Sequence, residues 1–412
     1  MNADSLRTEI ARPILVVTTG RYPWPLDHGF ANKNYWMIRL LSRDFRIRFH
    51  PVCYGKVDAE AINALRPFCE TISVHRPGWF SCAWALLACL WNGQPFQLAI
   101  FQSIAARRAI RADLAVASAA ISSGARTSPY VMQTEFRGAR FMDLGDSLGQ
   151  IYATNSRHIG SWVRRAVYRT EGQRMLAWEQ RLVAECDDTF LFNPVEVENL
   201  SRFGAVRVVP HGVPPRLFES DATTAEFADG VVVFGKMDYP PNVDSAFWFA
   251  EHVLPLLPAS IRLYVVGSHP SPRLHALAAE NPRVVVKGFM DDPYPGLRGA
   301  IASVCPVRMG GGIQNKVLES LAIGAYTLIS PLAAVPLDDI ESSGMVVCDS
   351  PQQWAQVIAA ASAEPARNLA ARQAGRAYAK ARFSWEAYAD VLLGSVQAGI
   401  ARRKPAPHAS PQ

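Results

Sequence analysis

The chain has no Cys-x-x-Cys pair and no Asp-x-Asp string. Its seven cysteines (Cys53, Cys69, Cys82, Cys89, Cys186, Cys305, Cys348) are odd in number and lack metal-ligand spacing. That excludes a zinc-ribbon or a disulfide-framed secreted scaffold and favours reduced structural thiols in a cytoplasmic protein. The first twelve residues carry Asp4 and Glu9 without a long apolar stretch, so no secretory signal is read there. Gly20 and Gly29 follow the first expected strand but do not supply Gly-x-Gly-x-x-Gly, which argues against a nicotinamide-dependent oxidoreductase. Residues 79–91 are thirteen uncharged residues, too few to span a bilayer, since a crossing helix needs about 20.

What is present is enough for two ordinary cores: 412 residues, 49% hydrophobic and 19% charged. Charge is uneven. Residues 1–205 hold 24 Lys and Arg against 18 Asp and Glu, and the rest is balanced at 18 against 18. All of the net +6 therefore belongs to the first half. Such a surface suits an anionic bilayer or a phosphate-bearing acceptor, and a basic solubilising face would look the same. Nucleic acid is disfavoured, because no recognition motif accompanies the charge. Trp79, Trp84 and Trp91, with Arg76 just before them, suit a helix lying at headgroup level, with a buried core helix as the other reading.

The chain centres on Arg308-Met309-Gly310-Gly311-Gly312-Ile313-Gln314-Asn315-Lys316-Val317-Leu318-Glu319. A buried strand ending at Pro306 leads into three glycines, and Val317, Leu318, Leu321 and Ala322 then fall at helical spacing. A glycine loop feeding a helix N-terminus is an anion site, because unpaired N–H groups and the helix dipole point at the ligand. Lys316 and Glu319, three apart, share one side of that helix. A cation beside the loop and a carboxylate one turn deeper suit a diphosphate joined to a sugar. A plain strand–turn–helix with a solvated Lys–Glu pair has the same pattern.

Elsewhere, strands and helices alternate, as an open parallel sheet requires. Strands are expected near 13–19, 46–52, 71–74, 99–101, 130–132, 189–192, 231–234, 261–267, 284–286, 325–329 and 345–347. Helices are expected near 32–42, 105–120, 161–185 and 351–381, and from 384 onward. Residues 133–147 read as polar and irregular. The loop after the first strand brings Asp27, His28 and Gly29 forward as site candidates, since ligands sit at the carboxyl ends of such strands. Asn242 is expected to cap a helix from Val243. His211-Gly212-Val213-Pro214-Pro215 marks a stiff connector, His211 being structural. Domains are placed at 1–210 and 211–383, the helix of about 384–402 packing back on the first, with 403–412 disordered.

Two strings carry a resemblance: Gly235-Lys236-Met237-Asp238-Tyr239-Pro240-Pro241-Asn242-Val243-Asp244 and Gly312-Ile313-Gln314-Asn315-Lys316-Val317-Leu318-Glu319. With them the chain resembles the GT-B glycosyltransferases of family 4, closest to the exopolysaccharide subgroup associated with PEP-CTERM export. Tyr22-Pro23-Trp24-Pro25-Leu26-Asp27-His28-Gly29 approximates that subgroup's N-terminal pattern, and Asp143-Leu144-Gly145-Asp146 keeps its Asp-Leu-x-Asp string. The resemblance implies two Rossmann-like α/β/α domains facing each other across a cleft. It implies a retaining, metal-independent transfer from a nucleoside-diphosphate sugar to a lipid-linked or oligosaccharide acceptor at the inner-membrane surface, with no cofactor. Glu319 then accepts from the nucleotide ribose, while the family's other glutamate falls on Gly311.

Arg308 and Lys316 are implied to neutralise the leaving diphosphate, and Gly310, Gly311 and Gly312 to offer amides to the sugar. Gly29, Gly235, Lys236, Met237, Asp238, Ile313, Gln314 and Asn315 complete the implied donor site. Asp27, His28, Asp143 and Asp146 lie on the acceptor side. Asp146 joins Arg308, Lys316 and Glu319 as a catalytic candidate, or pairs with a nearby arginine. A nucleotide-sugar 2-epimerase of the same fold and a non-catalytic nucleotide-sugar-binding protein are the alternatives.

Overall fold

A computed structural model describes residues 12–26, 29–156, 161–209, 211–309 and 312–403. They fall into two compact units, one within Met1–Val209 plus Ala389–Gln412, the other within Pro210–Tyr388.

The first unit is a parallel sheet of β1 (Ile14–Thr19), β2 (Arg46–Pro51), β3 (Thr71–Ile72), β4 (Ala119–Ser123), β5 (Ala139–Gly145), β6 (Asp188–Leu191) and β7 (Val206–Val208). Their order is β3-β2-β1-β4-β5-β6-β7. The chain winds outward from β1 in one direction and restarts beside it with β4, so the crossover reverses between those two strands. The helix Trp162–Glu185 follows the expected span. From Ala389 the last helix belongs to this unit, held by Ser395 donating to Asp188 and by an Arg403–Asp187 ion pair at 2.9 Å.

Four expectations fail here. Residues 99–101 and 130–132 are not strands; they end or follow the short helices Phe96–Ala99 and Ser128–Val131. Short apolar runs carry no period that separates strand from buried helix, and Pro129 near a helix start favours the helical turn. The helix expected to reach 120 stops at Leu114, and Ala119 and Ala120 already belong to β4, whose five residues are all buried. Residues 139–145, read as irregular because of Arg140 and Asp143, are β5, a sheet-interior strand. Both charges are accommodated: Arg140 donates to the carbonyls of Gln133 and Phe136 at 2.9 and 2.6 Å, and Asp143 meets Lys33.

The second unit orders β10 (Val284–Gly288), β9 (Arg262–Val266), β8 (Gly230–Phe234), β11 (Ala302–Cys305), β12 (Thr327–Ile329) and β13 (Val346–Val347) in one parallel sheet. β8 is buried along its length. Val231 and Val233 pack into one apolar cluster, Val232 and Phe234 into the other. Period-two alternation thus feeds a core on both faces, each side chain contributing about 1.5–3 kcal/mol on burial. The reversal here lies between β8 and β11.

Candidate functional site

In a doubly wound sheet the ligand crevice opens at the carboxyl edge where strand order reverses. Both resemblance-bearing strings leave the second sheet at that place, one after β8 and one after β11. Gly235 turns the first loop with φ +134, and a Cβ there would stand 2.8 Å from the Asn242 amide nitrogen. Gly267, which the sequence did not single out, has φ +147, and a Cβ would fall 1.7 Å from the Gly235 carbonyl oxygen. Only glycine permits these two backbones to lie so close.

Lys236 and Asp238 are exposed and pair at 3.5 Å. Met237 is different. Its side chain is wholly buried among the core residues of β8 and β9 and its N–H donates to the Ser268 carbonyl at 2.8 Å, so it anchors the loop. The helix begins at Pro240, not Val243, so Asn242 lies inside the first turn and does not cap it. Its amide instead joins the two loops: Nδ2 donates to the Lys236 carbonyl at 2.9 Å, and Oδ1 accepts from the Lys316 ammonium.

The second loop ends in the helix Asn315–Ala322, whose N-terminus has no side-chain cap and no acidic residue in its first turn. Gly312 carries φ +77 ahead of it. Burial lowers the Lys316 pKa, with Cys305 opposing the shift. One turn on, Glu319 accepts from the Tyr294 hydroxyl at 3.2 Å. Burial raises its pKa to about 7, against the opposing effects of Tyr294 and Arg216. The same burial raises Tyr294, whose ring lies 5.9 Å from the Arg216 guanidinium. Neither Tyr294 nor Arg216 had a motif to reveal it.

Arg308 makes a bidentate pair with Asp244 at 2.9 and 3.2 Å, so its charge is already matched. Ile313, Gln314 and Asn315 line the approach to the helix in sequence, half-buried. Gly310 and Gly311 lie outside the described residues.

In the first unit, Asp27 and His28 also lie outside the described residues, and Gly29 opens the helix Gly29–Leu41. Asp143 is buried at the end of β5 and pairs with Lys33 of that helix at 2.7 Å. Asp146 follows; burial raises its pKa, Lys33 opposes the shift and Asp143 adds to it. Ser147 links two further carboxylates, its N–H donating to Glu196 at 2.8 Å and its hydroxyl to Glu179 at 2.6 Å. Burial pushes both glutamates up to about 7. The spacing between Ser147, Glu179 and Glu196 in sequence hid this group.

The tryptophan-rich stretch is the helix Trp79–Asn92, and it is not a core helix. Trp79, Phe80, Trp84, Leu87, Leu90 and Trp91 are exposed, Trp91 by 87%. Arg174 donates to the carbonyls of Cys89 and Gln94, tying its end to the helix Trp162–Glu185. Between about 10 and 18 Å along that second helix from Arg174, at ~1.5 Å per residue, Val167, Val163 and Trp162 are exposed as well, among Arg164 and Arg169. Among the described residues no helix is long and apolar enough to cross a membrane.

Residues 228–364 match the family model described as glycosyl transferases group 1. Over 254 residues the chain is 30% identical to D-inositol 3-phosphate glycosyltransferase of Segniliparus rotundus, covering 56% of this chain and 56% of that protein. The match therefore spans little more than half of the curated relative. Sucrose-phosphate synthase of Thermosynechococcus elongatus aligns with TM-score 0.65 at 17% identity, over 95% of this chain and 99% of its own. HepE of Anabaena, in complex with UDP, aligns with TM-score 0.65 at 12% identity, over 93% and 100%. The fold is thus GT-B in kind, built of two Rossmann-like α/β/α units.

Proposed function

We propose that the chain is a retaining glycosyltransferase that moves a sugar from a nucleoside diphosphate to a saccharide acceptor carried on a lipid, in the making of a bacterial exopolysaccharide or cell-surface glycan. The observation that carries this is the pairing of Lys316 and Glu319 on one side of a helix that starts, uncapped, at the β8/β11 reversal. The group 1 glycosyltransferase match over that unit supports it.

In this reading the bond between the anomeric carbon and the β-phosphate oxygen breaks, and the acceptor hydroxyl oxygen takes its place on the same face. Negative charge then develops on the departing diphosphate. Lys316, fixed by Asn242, and the first amides of the helix meet that charge in place, without reorganisation at the moment of reaction. Asp244 already matches Arg308, so Lys316 is the principal cation and no metal is assigned to the step. Glu319 accepts from the ribose hydroxyls in its ionised form, which its pKa of about 7 keeps within reach. The acceptor's proton leaves through the departing phosphate oxygen. Asp143, held by Lys33, and Asp146 stay with the acceptor side. In this reading the enzyme sits peripherally on the cytoplasmic face of an anionic membrane, which the exposed tryptophans and the arginines beside them support.

A thermal-shift panel with UDP, GDP, ADP, dTDP and NAD tests the site, UDP first because HepE holds it. A ligand at about 100 times its Kd adds roughly 2.7 kcal/mol. One nucleoside diphosphate should stabilise the protein, and Glu319→Ala should lose most of that shift. Lys316→Ala should lower kcat for release of that nucleotide from its sugar by ~10²–10³. Stabilisation by NAD, or an unchanged response in Glu319→Ala, sinks the reading.

A further inference from the structure

Behind the helix Trp79–Asn92 lies a cavity of about 360 Å³, inside the first unit. That size falls within the ~300–1,000 Å³ of small-molecule sites. One part of its wall is apolar, formed by Ala85 and Ala88 of the helix, Leu98, Met132, Trp178 and Leu182, while Gln94 and Gln102 contribute polar surface. The walls are fixed, not loosely packed. Trp178 donates through its indole nitrogen to Ser128 at 2.9 Å, and Arg174 ties the helix end to the same long helix. Two alanines where larger side chains would close the gap leave surface that water solvates poorly.

Arg107 and Arg181 also line the cavity. Glu185 matches Arg181 at 2.6 Å. Arg107 gives one donor to the Gln102 amide oxygen at 2.9 Å and lies exposed, 5.7 Å from the Tyr130 ring. Its remaining donors suit a phosphate. Trp84 both lines the cavity and stands exposed on the outer side of the helix, so the opening is continuous with the aromatic face.

We propose that this cavity takes one acyl chain of an anionic phospholipid, drawn from the bilayer on which the helix lies, with the lipid phosphate on Arg107. The proposal rests on the membrane-surface part of the reading above and is independent of the sugar-transfer part. A chain entering beside Trp84 passes from bilayer to apolar wall without crossing water. The helix Trp79–Asn92 bears no carboxylate to repel the headgroup.

The test titrates the full chain with lauroyl lysophosphatidylglycerol below its micelle concentration, by calorimetry, with glycerol 3-phosphate and farnesyl phosphate as further arms. Saturable one-to-one binding of the lysolipid is expected, and none of glycerol 3-phosphate. Ala88→Phe, which fills the cavity, should weaken it by about ten-fold or more, and Arg107→Gln by a few-fold. Ala85→Leu, a smaller filling, serves if Ala88→Phe does not fold. Trp79→Ser with Trp91→Ser should leave lysolipid binding intact while releasing the protein from vesicles, which separates the cavity from the docking surface. Equal affinity in wild type and both filled variants overturns the proposal. So does tighter binding of farnesyl phosphate, which would give the cavity to a prenyl-linked acceptor.

Discussion

Asn242 holds the two halves of the candidate site in register. Its amide donates to the Lys236 carbonyl while accepting from Lys316, a double role that needs both a donor and an acceptor on one side chain. Aspartate would keep the second contact and set a carboxylate against the carbonyl; alanine loses both. Asn242→Ala should therefore cost about 1–2 kcal/mol of stability, as two lost hydrogen bonds do. It should also lower kcat/KM for the preferred nucleotide sugar about ten-fold, because Lys316 is no longer aimed. Asn242→Asp should retain more stability yet raise KM, since its charge competes with the diphosphate for the lysine. Melting temperatures and initial rates on the three proteins decide it, and unchanged rates in Asn242→Ala would remove Lys316's positioning from the account. The string containing Lys316 and Glu319 was legible because helical spacing exposes which residues share a side. The bridge was not, because Asn beside Pro in sequence reads as a cap, and only the fold shows its amide turned toward another loop.

Among elements, the β2–β3 edge and the end of β5 respond to pH in opposite senses. At the edge, the His50 and His75 nitrogens stand 3.0 Å apart, and His50 reaches Asp113 at 2.8 Å. Arg48 also faces the group, pairing with Asp113 at 2.6 Å. Burial lowers both histidines, His75 to about 4, with His50 adding to that shift. An unfolded histidine titrates near 6.5, so the unfolded chain binds more protons in between, and this part of stability is lost as pH falls from about 6.5 toward 4. Glu179 and Glu196 are raised to about 7, so their contribution is full below about 4.5 and lost as pH rises through 7. The two trends partly cancel in the wild type. His75→Gln should flatten the acid side by about 1–2 kcal/mol after solvent screening, and Glu179→Gln should flatten the neutral side. Melting curves from pH 4.5 to 8 read both; parallel curves for all three proteins would contradict the assignment. The β2 and β3 runs were readable in sequence, but β5 and its neighbour β4 were not. β5 carries Arg140 and Asp143, which local pattern assigns to a loop, and β4 sets Ile121 between two alanines and two serines, which mimic a helix end. Their partners lie far along the chain, and no local period encodes them. The β8 and β9 runs were legible for the converse reason: β-branched residues buried on both faces need no distant partner to look like strands.

At the scale of the whole chain, the net +6 is confined to the first half, and that half also carries the exposed aromatic surface. Exposed tryptophans alone could mark a protein partner. In the proposed membrane reading, the tryptophans of the helix Trp79–Asn92, with Arg76 ahead of it, and Trp162 beside Arg164 and Arg169, without a carboxylate on the first helix or in the first two turns of the second, suit an interface that is apolar below and anionic above. The sequence pointed to the first helix through its three tryptophans; the second was hidden, because Trp162 and Val163 open a long arginine-rich helix of mixed character. Binding to vesicles containing phosphatidylglycerol should therefore exceed binding to phosphatidylcholine vesicles and weaken with salt, as the screening length shrinks from about 10 Å at 0.1 M to about 3 Å at 1 M. Trp79→Ser with Trp91→Ser should remove most of the salt-resistant part, whereas Arg164→Ser with Arg169→Ser should remove the salt-sensitive part. Thermal shifts with the nucleotide should be the same in all of these variants, since the donor loops belong to the other unit. Sedimentation with vesicles at two salt concentrations separates the two terms. A chain that stays in the supernatant with anionic vesicles at low salt would assign the aromatic surface to a protein partner and leave the sugar-transfer reading untouched.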